Sequence, residues 1–429
     1  MPFVAMHQNR IPAPDKLFLT SIYAAALKPT LPAQALKEFE PPSVAGTIYL
    51  FAAGKAATQM AAAIYPKLSS LRGGIVVTRS GYAQPDFHPD NLDIIEASHP
   101  VPDTVGLAAA ERAMREIGEL GEDDLLLALI SGGASSLLPL PVGGVSLTEK
   151  QAVTRQLLHC GAPISEMNIV RKHLSAIKGG RLAAAAYPAR TQMIGISDVP
   201  GDDLGTIGSG PTVADRSTLS EAQEIVARYE LQLPVSVVFA LANRANETPK
   251  PEDVKLSRSE ASLCATPEQL VMAAAQYLQS KGYEPQVLGD DLEGDAILMG
   301  QDHAALAIQA KSKGRKIAII SGGEATVRVT NPKGRGGRNT AFLLSCAIAL
   351  NGESGITGFA ADTDGIDGSE DHAGAFLWPE LLSMIGGSAA ATDFLASDCS
   401  YTAFQRADAL MITGPSGTNV NDLRVLLVG

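Results

Sequence analysis

Twice along this chain a short apolar run, too short for a buried helix, ends in Ser-Gly-Gly: LLLALISGGASSLL over residues 125–138 and KIAIISGGEATVRV over 316–329. Leu, Ile and Ala without polar alternation mark a strand buried on both faces, and such strands belong to parallel sheets covered by helices. Glycine directly past the strand lets the backbone turn sharply and bring its N–H groups close to another group. Where a helix follows, as Ala134 to Leu138 predicts for the first copy, its N-terminal N–H groups and dipole favour an anion. Ser135 and Ser136 add hydroxyl donors there. The second copy runs on into EATVRVT, which alternates as a strand does, so a strand–turn–strand is expected. Ser and Gly also dominate ordinary tight turns, so neither copy assigns a ligand by itself.

The first half repeats the theme. TIYLFAA (47–53), GGIVVT (73–78), LDIIEAS (92–98), LLLALI (125–130) and QMIGIS (192–197) read as strands, and PVSVVFAL (234–241) as a further one. Between them lie helical stretches near 103–119, 147–187 and 219–230. Strand and helix alternating at this spacing predict an α/β fold with a Rossmann-like, mostly parallel sheet covered on both faces. Ligands of such sheets sit at the carboxyl ends of the strands, and Lys55, Ser131 and Asp198 each fall just past one. The charged, proline-bearing NRANETPKPEDVKLSRSE (243–260) reads as a linker. Domains are therefore expected over 1–245 and 246–429, the second also α/β, with its last strand able to pack back on the first domain. Helices at 267–281, 295–313, 338–350 and 379–386 and strands KIAIIS, TVRVT, ITGFAA, ALMIT and RVLLVG make up the second.

Charge narrows the function. Against 46 acidic residues there are 34 Lys and Arg, a net −12, which argues against a nucleic-acid or anionic-membrane surface. No apolar stretch approaches the ~18 residues of a membrane span. The opening MPFVAMHQNRIPAP is broken by prolines and does not read as a signal peptide. Cys160, Cys264, Cys346 and Cys399 are far apart, as reduced, mostly buried thiols of a cytoplasmic protein would be. Oligomeric state leaves no trace in the sequence.

Four further stretches concentrate Gly, Ser, Asp and cations outside the strands. NIVRKHLSAIKGGRLA (168–183) places Arg171, Ser175 and Lys178 near one helical face. SDVPGDDLGTIGSGPTVAD (197–215) holds Asp198, Asp202, Asp203 and Asp215 together with Gly208, Ser209 and Gly210. A loop so long and so rich in carboxylate and glycine is a functional candidate. NPKGRGGRNTAF (331–342) delivers Lys333, Arg335 and Arg338, the last at a helix start, where its fork adds to an anion site. AADTDGIDGSEDHAG (360–374) holds Asp362, Asp364, Asp367, Glu370 and Asp371, but its glycines do not fit a Ca²⁺ loop. Glycine turns, cations and a carboxylate loop are the parts of Mg²⁺-dependent phosphoryl transfer. No G-x-G-x-x-G follows a strand, since GSGPTV lacks the third glycine, and no P-loop is present because Ala56 follows Gly54-Lys55. G-x-S-x-G is absent, and the seven histidines show no metal-ligand spacing, His88 and His99 reading as loop residues.

ASHPVPD (97–103), LISGGASSLLPLP (129–141), the two stretches at 168–183 and 197–215, ISGGEATV, GRGGRN, DTDGIDG and TGPSGTNVNDL (413–423) stand in the order of the glycerate 2-kinase family, which the chain resembles over nearly its whole length. The resemblance implies a two-domain enzyme that moves the γ-phosphoryl of ATP onto the 2-hydroxyl of D-glycerate with Mg²⁺, its active site in the cleft between a Rossmann-like domain and a second domain carrying the family's leucine-rich module. The family's lysine matches Lys55 and its arginine matches Arg338. On this reading Lys55 and Arg338 neutralise charge on the transferring group. Asp198 holds Mg²⁺ or accepts the hydroxyl proton, and Asp364 or Asp367 supplies a second carboxylate or caps a turn. Ser131, Gly132, Gly133, Ser135, Ser136, Gly208, Ser209, Gly210, Gly322 and Gly323 are expected around phosphates, and Arg171 and Lys178 at the substrate. Two positions depart from the family: Ala134 replaces a third glycine, and Ala341 stands where an acid is common. Some relatives carry a hydroxypyruvate reductase label, so an NAD(P)H-dependent reductase is the rival reading, with a non-catalytic nucleotide or sugar-acid binding protein the third.

Overall fold

The computed structural model describes residues 15–429, so the stretch read as no signal peptide lies outside the described residues. The chain divides into two compact units. One holds Thr30–Thr266 together with Gly417–Val420; the other holds the described residues before Thr30, Pro267–Ser416 and Asn421–Gly429.

In the first unit six strands, β1 (Ile48–Ala53), β2 (Leu71–Arg79), β3 (Leu92–Ala97), β4 (Leu125–Ile130), β5 (Arg190–Ile196) and β6 (Ser259–Ala265), form one sheet in the order β3-β2-β1-β4-β5-β6. All pairs are parallel. Every residue of β1 and β4 is buried, as their unbroken apolar runs require. The helix Thr104–Ile117 starts where the Asp103 carboxylate accepts the Gly106 N–H at 2.8 Å, and it buries Ala109, Ala110, Ala113 and Ile117. Deleting the Ile117 side chain would cost about 2–5 kcal/mol, the range for a truncated core residue. Strand order runs outward through β2 and β3 on one side of β1 and through β4, β5 and β6 on the other. The exits of β1 and β4 therefore flank the switch point where such sheets take their ligands.

Three expectations needed correction. Residues 234–241 are not a strand: Val235–Ala242 is a helix begun at Pro234, burying Val237, Ala240 and Leu241 at helical spacing while Val238 and Phe239 face solvent. A short apolar run does not distinguish the two by periodicity. The 243–260 linker is largely part of the first unit, since Thr248 and Leu256 are buried and β6 begins at Ser259. The division thus falls at Thr266/Pro267, past the expected 245/246. The last strand does not return to the first sheet either.

The second unit carries β7 (Glu284–Gly289), β8 (Gly294–Asp295), β9 (Ile317–Ser321), β10 (Ala325–Thr326), β11 (Ile356–Asp362), β12 (Gly374–Leu377), β13 (Leu410–Met411) and β14 (Asp422–Val428). Its main sheet runs β13-β12-β11-β14-β9-β7, with only β7 and β9 parallel. The last strand, β14, lies inside this sheet between β11 and β9. Of TVRVT only Thr326 is in a strand, as the second residue of β10, which pairs with β8, and Val327 and Val329 are left exposed. The four cysteines are free, Cys346 buried and the other three half-buried. Among the described residues no helix is long and apolar enough to cross a membrane.

Candidate active site

At the switch point the exits of β1 and β4 interlock. Ser131 N–H continues the sheet to Ala53 O at 3.0 Å, Lys55 N–H donates to Gly132 O at 2.8 Å, and the Ser131 hydroxyl accepts the Ala56 N–H at 3.1 Å. Gly54 is required for this closeness, because a Cβ there would lie 2.1 Å from Ser131 Oγ. The N–H groups of Gly132 and Gly133 find no protein acceptor among the described residues. Gly132 is buried, and a buried N–H without partner calls for a ligand or water. Ala134 opens the short helix Ala134–Leu137 without a left-handed φ, so the missing third glycine changes nothing in the backbone here.

Asp198, past β5, comes to the same turn. A Cβ on Gly132 would sit 2.0 Å from Asp198 Oδ2 and 2.1 Å from Asn419 Nδ2, and that amide donates to the carboxylate at 2.9 Å. Asn419 belongs to the 417–420 segment, pinned where the Thr418 hydroxyl donates to Thr30 O at 2.9 Å. The His99 ring also reaches the turn, 3.2 Å from where a Gly133 Cβ would be, with Lys55 Cγ at 3.4 Å. Sequence reasoning reads His99 only as a loop residue and gives Asn419 no role. The only local signal was the glycine-rich TGPSGTNVNDL around Asn419.

A second cluster lies behind the turn. The Ser135 hydroxyl is 2.9 Å from Ser209 Oγ and accepts from Arg171 Nη2 at 2.9 Å, while Arg171 Nη1 donates to Asn168 Oδ1 at 3.2 Å. Lys178 donates to Ser135 O and Leu138 O, both at 2.7 Å, and Lys150 to Leu140 O at 3.2 Å. Burial, helped by the neighbouring cations, pushes both lysines well below the usual lysine range. Gly208, Ser209 and Gly210 all have left-handed φ, a strained run held where Gly179 and Gly180 N–H groups donate to Ser209 O and Gly210 O at 3.0 and 2.8 Å. Ser136 contributes its N–H to Gly133 O at 3.0 Å. Of the other acids of this loop, Asp203 accepts from Thr206 and Asp215 pairs with Lys172 at 3.4 Å.

The remaining expected residues belong to the second unit, whose geometry uses them internally. Arg338 Nε donates to Asp422 at 2.9 Å, Nη1 to Glu324 at 2.6 Å and Nη2 to Asp362 at 2.9 Å. Burial opposes its charge, but Asp422, Asp362 and Glu324 prevail and hold the guanidinium firmly protonated. The anion at the start of the helix Arg338–Leu350 is the protein's own. Asp367 accepts the Asn339 and Thr340 N–H groups at 3.0 and 2.9 Å and so caps that helix. Asp364 Oδ1 accepts the Ile366 N–H at 2.8 Å within a turn. At the second Ser-Gly-Gly, Arg424 donates to Gly322 O at 2.8 Å and to Gly323 O at 3.3 Å, and a Cβ on Gly323 would lie 2.2 Å from Leu292 N. These glycines serve close backbone approach. A cavity of about 660 Å³ opens in this unit, lined among others by Val327, Val329, Leu395, Arg338 and Ala341. Among the described residues no three His, Cys, Asp or Glu side chains are grouped to hold a metal.

Residues 18–242 match a domain of unknown function, DUF4147, and residues 317–422 match the MOFRL family. The chain is 38% identical to a D-glycerate 2-kinase of Thermotoga maritima, over 96% of this chain and 98% of that one. The chain belongs to the glycerate kinase family. The crystal structure of a Thermotoga maritima glycerate kinase superposes with a TM-score of 0.85 at 38% identity, covering 96% of this chain and 99% of that one. A relative from Agrobacterium vitis, 48% identical over 96% of this chain and 94% of its own, bears a hydroxypyruvate reductase name.

Proposed function

We propose that this chain transfers the γ-phosphoryl group of ATP to the 2-hydroxyl of D-glycerate, giving 2-phosphoglycerate. The observation that carries it is the pair of free N–H groups at Gly132 and Gly133 beside Lys55, at the switch point of a parallel sheet. Such donors, fixed before the reaction, stabilise charge as it develops on phosphoryl oxygens. Lys55 adds a full positive charge on a backbone anchored to the same turn. Asp198, oriented by Asn419, accepts the proton of the attacking hydroxyl or contacts the cation that accompanies ATP. A lone carboxylate fits Mg²⁺ carried mainly by the nucleotide's phosphates and does not form a metal cage of its own. That ion would neutralise charge on the β- and γ-oxygens. The role of Arg338 rests on the family match, because its donors are already engaged by three carboxylates.

The reductase name of the Agrobacterium relative gives the second reading. The turn after β1 reads AAGKAA, without the glycines that admit a dinucleotide pyrophosphate, which favours the kinase. Purified protein with ATP, Mg²⁺ and D-glycerate should yield a product phosphorylated at the 2-position. The same protein with hydroxypyruvate should leave NADH and NADPH unoxidised. Nicotinamide oxidation without ATP turnover overturns the proposal.

A further inference from the structure

Charge bookkeeping behind the Gly132–Gly133 turn does not close. Lys178 and Lys150 are 1% and 8% exposed, and Arg171 is half-buried beside them. Among the described residues none of the three pairs with a carboxylate: their partners are the carbonyls of Ser135, Leu138 and Leu140, the Asn168 amide oxygen and the Ser135 hydroxyl. In the same unit Lys172 pairs with Asp215 and Lys250 with Glu247. Buried charges are normally paired, since the cost of leaving one unpaired is several kcal/mol. Two buried amines and one guanidinium thus converge on one short segment with no carboxylate among their described partners.

We propose that Arg171, with the Ser135 and Ser209 hydroxyls and the buried charges of Lys150 and Lys178, forms an oxyanion subsite for a substrate of the phosphotransfer reaction; this deepens the kinase reading and rests on it. The guanidinium is the contact group. Its planar fork suits two oxygens of one carboxylate or phosphoryl group, and Ser135, itself half-buried, links it to Ser209. Lys150 and Lys178 act through the segment 135–140, whose carbonyls they hold; they are positioning residues that raise the local potential. The oxyanion is either the carboxylate of the 2-hydroxy acid or a phosphate of ATP.

The test uses the full chain and three probes added singly, D-glycerate, ADP and the neutral analogue glycerol, with affinity read by calorimetry and melting temperature recorded alongside. Glycerol should not bind measurably. Arg171→Lys, which keeps the charge, and Lys150→Met, which removes it, should each weaken one of the two anionic probes at least tenfold. Loss confined to D-glycerate assigns the subsite to the acceptor carboxylate; loss confined to ADP assigns it to phosphate. Ligand-free Lys150→Met should melt no lower than the parent, because it removes an unpaired buried charge. A lysine that merely braces the fold would give the reverse pattern, a lower melting temperature with affinities unchanged. Both probes binding both variants within twofold of the parent, or neither binding the parent, overturns the subsite. Parent turnover of ATP with D-glycerate, followed separately, shows whether the kinase reading stands when the subsite falls.

Discussion

Gly132→Ala is the sharpest perturbation the switch-point geometry offers. Gly132 has no left-handed φ, so alanine suits its backbone and the new methyl group is the whole change. That methyl would stand 2.0 Å from Asp198 Oδ2 and 2.1 Å from Asn419 Nδ2, where ordinary contact needs at least 3.4 Å. The carboxylate must retreat by about 1.4 Å, and a displacement of even ~1 Å costs about 10²-fold in rate when it misplaces a catalytic group. Overpacking adds about 1–3 kcal/mol of destabilisation, or a few degrees in Tm for a unit of this size. Gly143→Ala is the control, because its Cβ would meet nothing within 4 Å. ADP release with D-glycerate, measured on protein shown folded by its melting curve, should fall at least 10²-fold for Gly132→Ala and stay level for Gly143→Ala. A folded Gly132→Ala protein with kcat within twofold of the parent would refute the placement of Asp198 at the reacting groups.

Three further outcomes are expected. Lys55→Ala should lower kcat by about 10²-fold or more, the scale of losing one preorganised donor, with steady-state kinetics as the check. Arg338→Lys keeps a charge but cannot hold Asp422, Asp362 and Glu324 together, and should cost about 1–3 kcal/mol, less than the 3–5 of breaking a buried pair outright, together with part of the kinase rate; urea unfolding and the coupled assay read the two effects. Burial raises the Asp367 carboxyl, but His372 and the N–H groups of Asn339 and Thr340 outweigh it and hold it below the usual range. Its contribution is therefore complete above the unfolded value of about 3.9 and is lost as pH falls through the lower folded value. Melting curves between neutral and strongly acidic pH should show a shallower acid loss in Asp367→Asn than in the parent.

What could be read from sequence follows from where the energy lies. Strands β1 and β4 were legible because a central parallel strand must be apolar on both faces, and little else in six residues looks like LLLALI. Strand β6 was not, since SEASLCA is an edge strand with half-exposed residues and resembled linker. The helix Val235–Ala242 was misread because its apolar side faces water at Phe239, which erased the amphipathic pattern. Lys55, Ser131 and Asp198 could be placed because each follows a strand directly. Pairings set by tertiary approach left no local mark: Asp367 caps a helix begun at Arg338, and His99 was indistinguishable from a loop histidine. The Ser-Gly-Gly repeats were alike as strings but not in use, as the first leaves N–H groups free and the second surrenders its carbonyls to Arg424.

The hydrogen bond from Asn419 to Asp198 spans 221 positions of chain. During synthesis, residues 30–266 can emerge and collapse into their parallel sheet long before that amide exists, since domains fold as units in N-to-C order. Such a nascent sheet would already display Lys55 and the glycine turn, yet its aspartate would lack the partner that orients it. The first unit is thus finished only when the late-made segment 417–420 delivers its amide to that carboxylate.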